Sequence, residues 1–161
     1  MNPALRIAPA DGANDLVLVR ELFREYAQAL DVSLCFQSFD EELANLPGEY
    51  ADPRGTLLIG WVDGQAAACC ALRPLDAADH PNAAEMKRLY VRPPFRRFGL
   101  GRELADAVLN AARALGYSCV LLDTLDDMEA ARALYKELGF FEVAPYYFNP
   151  IAGAHYLKVV L

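Results

Sequence analysis

A short segment with two glycines and three arginines has the chemistry of an anion-binding turn. Arg96-Arg97-Phe98-Gly99-Leu100-Gly101-Arg102 joins a strand-like run to the start of a helical pattern. The first amides of a helix lack intrahelical acceptors and lie at the positive end of its dipole, so they attract phosphate. The segment lacks the G-K-[ST] of a Walker loop and the third glycine of a dinucleotide turn. From these residues alone, a phosphate-bearing ligand and a plain cationic loop are equally good interpretations.

The cysteines and histidines do not form a metal-binding or nucleophile pattern. They are Cys35, Cys69, Cys70, Cys119, His80 and His155. No C-x-x-C pair occurs, and no histidine cluster accompanies the thiols. Cys69 and Cys70 should point to opposite faces of a strand, and all four are interpreted as buried free thiols of a reducing compartment. We therefore expect no metal and no covalent enzyme intermediate.

Two motifs identify a family. The first, V-x-P-x-x-R-x-x-G-x-G, runs from Val91 to Gly101, and the second, A-x-x-L-Y-x-x-x-G-F, runs from Ala131 to Phe140. Together they resemble the GNAT superfamily of N-acetyltransferases. The resemblance extends over nearly the whole chain in the order of elements, and residues 85–140 carry its specificity.

The resemblance implies that acetyl-CoA is the acetyl donor. Loop amides of residues 97–101 would bind its pyrophosphate, and the strand that ends at Val91 would bind its pantetheine arm. The expected cofactor-binding residues are Leu89, Tyr90, Val91, Arg96, Arg97, Phe98, Gly99, Leu100, Gly101 and Arg102. Met128 stands where many members have Asn, and its helical spacing predicts core packing.

The resemblance also implies an acid and a base. An alkylamine with a pKa of about 10 is mostly protonated at neutral pH, so a group must accept its proton before attack. Glu85 matches the position of the catalytic carboxylate in some members, at the predicted start of a strand, while Asp123 and water alone are the alternatives. Tyr135 matches the family's proton donor to the leaving thiolate, and its alternative role is core packing.

Acceptor binding is expected from less regular segments. These are residues 31–39 and the Tyr146-Tyr147-Phe148 cluster, with Phe36 and Tyr146 as the candidate residues. Aromatic rings can bind an amine through cation–π contacts or pack in a sheet. We expect a primary amine of a small molecule or peptide to attack acetyl-CoA directly in a ternary complex. The alternative is a noncatalytic acyl-CoA-binding module of the same fold.

The spacing of hydrophobic residues predicts the strands and helices that must position these residues. Strands are predicted at residues 5–8, 56–62, 65–73, 85–91, 119–123, 140–143 and 155–160, and helices at 16–30, 38–46, 100–115 and 126–138. Asn14, Ser38 and Asp126 are the predicted N-caps. Asp63-Gly64 predicts a tight hairpin.

These elements and the resemblance predict the fold class, α/β (α+β). We expect one GNAT-like acetyltransferase domain over residues 1–161, with a mixed, largely antiparallel twisted sheet of about seven strands flanked by helices. By resemblance, the central strand pair, residues 85–91 and 119–123, should splay apart and leave a gap for the thioester.

Length and composition are consistent with this interpretation. The chain has 161 residues, 55% hydrophobic and 23% charged, with a net charge of −7, which suits one globular domain and disfavours nucleic acid as a partner. The negative net charge favours a cationic acceptor. No run approaches the roughly 20 apolar residues of a membrane span, so we expect a cytoplasmic protein. Its oligomeric state stays open, with a homodimer as one expectation.

Overall fold

The computed structural model describes residues 3–30, 33–34, 38–77 and 79–161. The strands are β1 (Leu5–Pro9), β2 (Thr56–Val62), β3 (Gln65–Ala77), β4 (His80–Val91), β5 (Cys119–Leu125), β6 (Phe141–Val143) and β7 (Ala154–Val160). The α-helices are α1 (Gly12–Leu30), α2 (Phe39–Ala44), α3 (Leu100–Ala114) and α4 (Glu129–Glu137). Short 3₁₀ helices cover Gly48–Tyr50 and Pro93–Phe98. Among the described residues, no helix is long and apolar enough to cross a membrane.

The strands form one seven-stranded sheet in the order β1-β2-β3-β4-β5-β7-β6. All neighbours pair antiparallel except β4 and β5, which are parallel. The β2–β3 hairpin turns at Asp63-Gly64, and both residues have positive φ angles as a tight hairpin requires. The predicted mixed, largely antiparallel sheet with flanking helices is confirmed.

The central strand pair is joined over a short stretch only. β4 and β5 pair between Ala83–Glu85 and Cys119–Leu121, whereas β3 stays paired with β4 as far as Val91. Beyond Glu85 and Leu121 the two strands have no further paired positions, so the predicted splay is confirmed. A register shift in the β3–β4 ladder lies between Cys69 and Ala71.

Helices cover the two faces of the sheet and create two main cores. One core packs α3 and α4 against the sheet and contains Cys70, while the other packs α1 and α2 and contains Cys69. The neighbouring thiols therefore point to opposite faces, as strand alternation predicts.

The predicted helix N-caps are wrong at two places, Asn14 and Asp126, and the position of the third is confirmed. Helix α1 begins at Gly12, before Asn14, because the Asp15 carboxylate accepts a hydrogen bond from the Asp11 amide at 2.8 Å. Ser38 is the N-cap of α2 as predicted, but its side chain makes no capping hydrogen bond. At α4 the N-cap is Met128, because the Asp126 carboxylate contacts His155 instead.

The predicted start of β4 is also wrong. The strand begins at His80, because the β3–β4 hairpin continues through Pro74↔Ala84 and Leu75↔Ala83 to Ala77↔His80. Glu85 therefore lies inside a strand and does not open one. Pairing with β3 extends the strand through Pro81, a residue that restricts the chain locally.

Candidate active site

The separation of β4 and β5 opens a cavity between them, called here the gap cavity. It is lined by Tyr26, Leu30, Leu34, Met86, Lys87, Arg88, Leu89, Leu122, Asp123, Thr124, Leu125, Met128, Tyr135, Asn149 and Ile151. Lys87 lies on β4 and Asp123 on β5, so the two strands contribute side chains of opposite charge to the same space.

A larger cavity of about 490 Å³, called here the groove, extends from the gap cavity toward α3. Both cavities are lined by Tyr26, Leu30, Leu89 and Met128, so they adjoin each other. Of the residues predicted to bind the cofactor, the groove is lined by Leu89, Tyr90, Val91, Arg96, Gly99, Gly101 and Arg102. The structure therefore brings most of that predicted set together.

The far end of the groove is the first turn of α3. Gly99 is the N-cap and has a φ of 75°, a left-handed conformation that glycine adopts without a Cβ penalty. The Glu103 amide donates to the Gly99 carbonyl at 3.2 Å, which leaves the amides of residues 100–102 without an intrahelical acceptor. Arg96 and Arg102 line the same end. Free amides beside two guanidinium groups make a suitable site for phosphate.

Three of the predicted cofactor residues do not line the groove. Leu100 is fully buried in the core, so its side chain holds the helix against the sheet. The Arg97 guanidinium lies over the Phe98 ring, 4.9 Å from its centroid. Because the Leu100 side chain is buried, any contact of Leu100 with a ligand would come from its backbone.

Tyr135 projects from α4 into the core beside α3 and also lines the gap cavity. Its ring centroid lies 5.5 Å from that of Phe140. Burial raises the pKa of Tyr135 well above its ordinary value, so the hydroxyl stays protonated. No hydrogen bond joins this hydroxyl to a residue in the described part of the chain, which leaves it available to a ligand in the cavity.

Glu85 is buried and fully engaged, with 1% of its surface exposed. Its Oε1 accepts a hydrogen bond from Arg73 Nε at 2.8 Å and lies 3.8 Å from Lys87 Nζ, and its Oε2 accepts from the Tyr146 hydroxyl at 2.5 Å. Burial raises the pKa of Glu85, but the Lys87 and Arg73 charges and the Tyr146 hydrogen bond outweigh burial and lower it overall. Glu85 does not line the gap cavity.

Asp123 differs from Glu85 because it faces the gap cavity. Its Oδ2 accepts hydrogen bonds from the Tyr147 hydroxyl and from Asn149 Nδ2, the latter at 2.9 Å. Within the described residues, no hydrogen bond reaches its Oδ1. Asp123 thus presents a carboxylate that is held in place through one oxygen and open through the other.

The acceptor-binding candidates have different outcomes. Tyr146 packs edge-on against Tyr156, with centroids 5.4 Å apart, and donates its hydroxyl to Glu85. Tyr146 does not line the gap cavity, so its role in acceptor binding stays a prediction. Phe36 lies outside the described residues.

Sequence reasoning missed four residues of the site. Tyr26 shares the apolar face of α1 with core residues, and Asn149 lies in an irregular segment with no periodic signal. Met128 was predicted to pack in the core, but it is only half-buried and lines both cavities. Lys87 did carry a signal, since a lysine inside a buried strand is unusual.

The described thiols are not placed for covalent catalysis. Cys69, Cys70 and Cys119 are free and buried, and none lines the groove or the gap cavity. Burial raises the pKa of Cys70 to about 12 and also raises that of Cys69 and Cys119. Cys35 lies outside the described residues. Within the described ranges, no group of three His, Cys, Asp or Glu side chains could hold a metal ion.

Comparison with known proteins agrees with this geometry. Residues 16–140 match the acetyltransferase (GNAT) family. An uncharacterized N-acetyltransferase of Schizosaccharomyces pombe is 40% identical over 146 residues, which cover 90% of this chain and 88% of that protein. An acetyltransferase structure from Streptococcus agalactiae superposes with a TM-score of 0.76 at 19% identity, covering 98% of both chains. The paiA N-acetyltransferase of Thermoplasma acidophilum, solved in complex with coenzyme A, has a TM-score of 0.73 at 15% identity and covers 98% of this chain and 99% of its own.

Proposed function

Because the chain belongs to the acetyltransferase (GNAT) family, we propose that it transfers an acetyl group from acetyl-CoA to a primary amine of a small molecule or peptide. The amine attacks the thioester directly in a ternary complex. The observation that carries this proposal is the adjacency of the groove and the gap cavity, which share four lining residues. One end offers free helix amides and arginines, and the other offers Tyr135 and Asp123.

The groove supplies the donor site. The amides of residues 100–102, with Arg96 and Arg102, would bind the pyrophosphate of acetyl-CoA. Beyond Glu85 the edge of β4 that faces β5 is unpaired, so residues 89–91 can hydrogen-bond to the amides of the pantetheine arm as a sheet edge does. The thioester would then reach the gap cavity, where Leu89 and Met128 line both spaces.

The structural contacts favour Asp123 over Glu85 as the base that accepts the amine proton. Asp123 lines the gap cavity and keeps one oxygen free of hydrogen bonds from described residues. Glu85 has both oxygens engaged, and its lowered pKa makes it a weaker base. In this arrangement Glu85 acts as a positioning residue, since it holds Arg73, Lys87 and Tyr146 around the site.

Tyr135 is the acid of the proposed reaction. As the tetrahedral intermediate collapses, the C–S bond breaks and negative charge develops on the departing sulfur. A buried hydroxyl with a raised pKa remains protonated at neutral pH and can donate to that sulfur. Tyr135 lines the gap cavity, which is where the thioester would lie.

The test is acetyl transfer by the purified chain across a panel of primary amines. Release of the free CoA thiol above the rate of amine-free hydrolysis, together with an acetylated amine detected by mass spectrometry, would support the proposal. A thermal shift with acetyl-CoA but no transfer to any amine would favour the acyl-CoA-binding module. Absence of any shift, transfer or binding would contradict both.

A further inference from the structure

Lys87 is a buried ammonium group that makes no hydrogen bond through Nζ within the described part of the chain. Its side chain is 6% exposed, and its one ion-pair contact among those residues is Glu85 Oε1 at 3.8 Å, beyond hydrogen-bond distance. An ammonium has three donors and no acceptor. No hydrogen bond joins Lys87 Nζ to any residue that the structure describes. A charge buried in this way is costly unless a partner binds it.

Unlike Lys87, the neighbouring cations are hydrogen-bonded to carboxylates. Arg88 donates two hydrogen bonds to the Glu42 carboxylate, at 3.0 and 3.1 Å. Arg73 pairs with Glu85 at 2.8 Å and also contacts Glu49. Among the described residues, both guanidinium groups therefore have a hydrogen-bonded carboxylate, whereas the ammonium of Lys87 has only the longer 3.8 Å contact with Glu85.

Lys87 lines the gap cavity, where the proposed acetyl acceptor must bind. Charged groups around it are Glu85 and Arg88 on its own strand, Asp123 on β5 and Arg73 on β3. Burial lowers the pKa of Lys87, although Glu85 opposes this effect. A bound anion would stabilise the ammonium and remove the cost of its burial.

We propose that the acceptor is an amine that also carries a carboxylate, as a free amino acid does, and that Lys87 Nζ binds this carboxylate. The inference rests on the proposed transferase function. The acceptor amine would lie toward Asp123 on the opposite strand, so the two charges of the cavity match the two charges of a zwitterion. The carbon skeleton of the acceptor would contact an apolar wall formed by Leu122, Leu125 and Ile151.

The experiment compares L-amino acids with their carboxamides, which keep the size and remove the negative charge. We expect wild-type kcat/KM to be higher for each preferred acid than for its amide by roughly 10- to 100-fold, as one hydrogen bond between charged groups supports. Lys87→Met should abolish this preference, because it should lower kcat/KM for the acid far more than kcat/KM for the amide. Lys136→Met, the same change at an exposed position of α4, should preserve the preference.

The controls separate this inference from the proposed function. Equal kcat/KM for acids and amides in the wild type would overturn the inference and leave the transferase proposal intact, and this result needs no variant to fold. Transfer to no amine would overturn the transferase proposal and the inference with it. Acetylation of Lys87, detected by peptide mapping with mass spectrometry after incubation with acetyl-CoA, would also overturn the inference, because the lysine would then be an acceptor. Lys87→Met should retain the wild-type thermal shift with acetyl-CoA.

Discussion

The two halves of the site are built in different ways. The groove depends on backbone: an N-cap glycine, the free amides that follow it and the unpaired edge of β4. The gap cavity depends on side chains, which arrive from α1, β4, β5, α4 and the segment before β7. A backbone site can accept the same phosphate-bearing group whatever side chains surround it, whereas a side-chain site discriminates among acceptors.

The charges of the two halves also differ. At the α3 end of the groove, the lining includes two arginines beside the first turn of the helix. In the gap cavity, Lys87 and Asp123 lie on neighbouring strands, and each nearby ion pair, Glu85–Arg73 and Arg88–Glu42, has one buried member. The difference implies that changes in the gap cavity should affect turnover, and changes at the α3 turn should affect binding of acetyl-CoA.

The largest expected effect distinguishes the two carboxylates. Asp123→Asn should lower turnover by roughly 10³-fold near neutral pH, the middle of the range for general base catalysis, while Glu85→Gln should lower it less. The Asp123→Asn loss should shrink at high pH, because the amine is then already deprotonated. Steady-state rates of both variants between neutral and alkaline pH measure this. The opposite ranking would assign the base role to Glu85.

Tyr135→Phe should lower the chemical step by roughly 10²-fold and leave acetyl-CoA affinity nearly unchanged. The substitution removes one hydroxyl and keeps the ring against Phe140. Single-turnover transfer should be measured beside the denaturant midpoint. A normal rate with a lowered midpoint would show that the tyrosine serves packing alone.

Glu85→Gln should lower the free energy of unfolding by about 2 kcal/mol at neutral pH, because hydrogen bonds to a buried charge are lost. The folded-state pKa of Glu85 is lowered, so its contribution is present above the unfolded value of about 4.3 and is lost as pH falls through the folded value. The difference between wild type and variant should therefore shrink in acid. Denaturant unfolding at several pH values measures this difference in the free energy of unfolding.

A matched control is available for that measurement. Glu137 forms an ion pair with Arg102 at 2.7 Å, but its side chain is 65% exposed. Glu137→Gln should change stability little, because exposed ion pairs contribute little. Equal losses in the two variants would contradict the importance of burial at Glu85.

The smallest expected effect is at the α3 turn. Gly99→Asp should bind acetyl-CoA roughly tenfold more weakly than Gly99→Asn, because only the aspartate repels the pyrophosphate. Both residues tolerate a positive φ, and a Cβ here would meet no atom within 4 Å. Thermal shift or calorimetry at increasing salt should show the difference narrowing. Equal affinities at low salt would place the pyrophosphate elsewhere.

Prediction from sequence succeeded where a residue type alone dictates the local backbone. Asp63-Gly64 predicted a hairpin, and alternation placed Cys69 and Cys70 on opposite faces. Prediction from sequence placed the start of β4 at the wrong residue, since the length of a strand depends on the strand with which it pairs. It also failed at Asp126, whose side chain contacts a histidine 29 positions away.

The sequence by itself determined the family, the order of elements and the glycine turn before α3, because those depend on motifs and on contacts between residues close in the chain. Only the tertiary structure showed that Glu85 is enclosed by Arg73 and Tyr146, while Asp123 and Lys87 face the gap cavity. Which of two carboxylates is buried in ion pairs depends on the side chains that other strands and loops bring to it. Those contacts span distant parts of the chain, and they arise only when the sheet assembles.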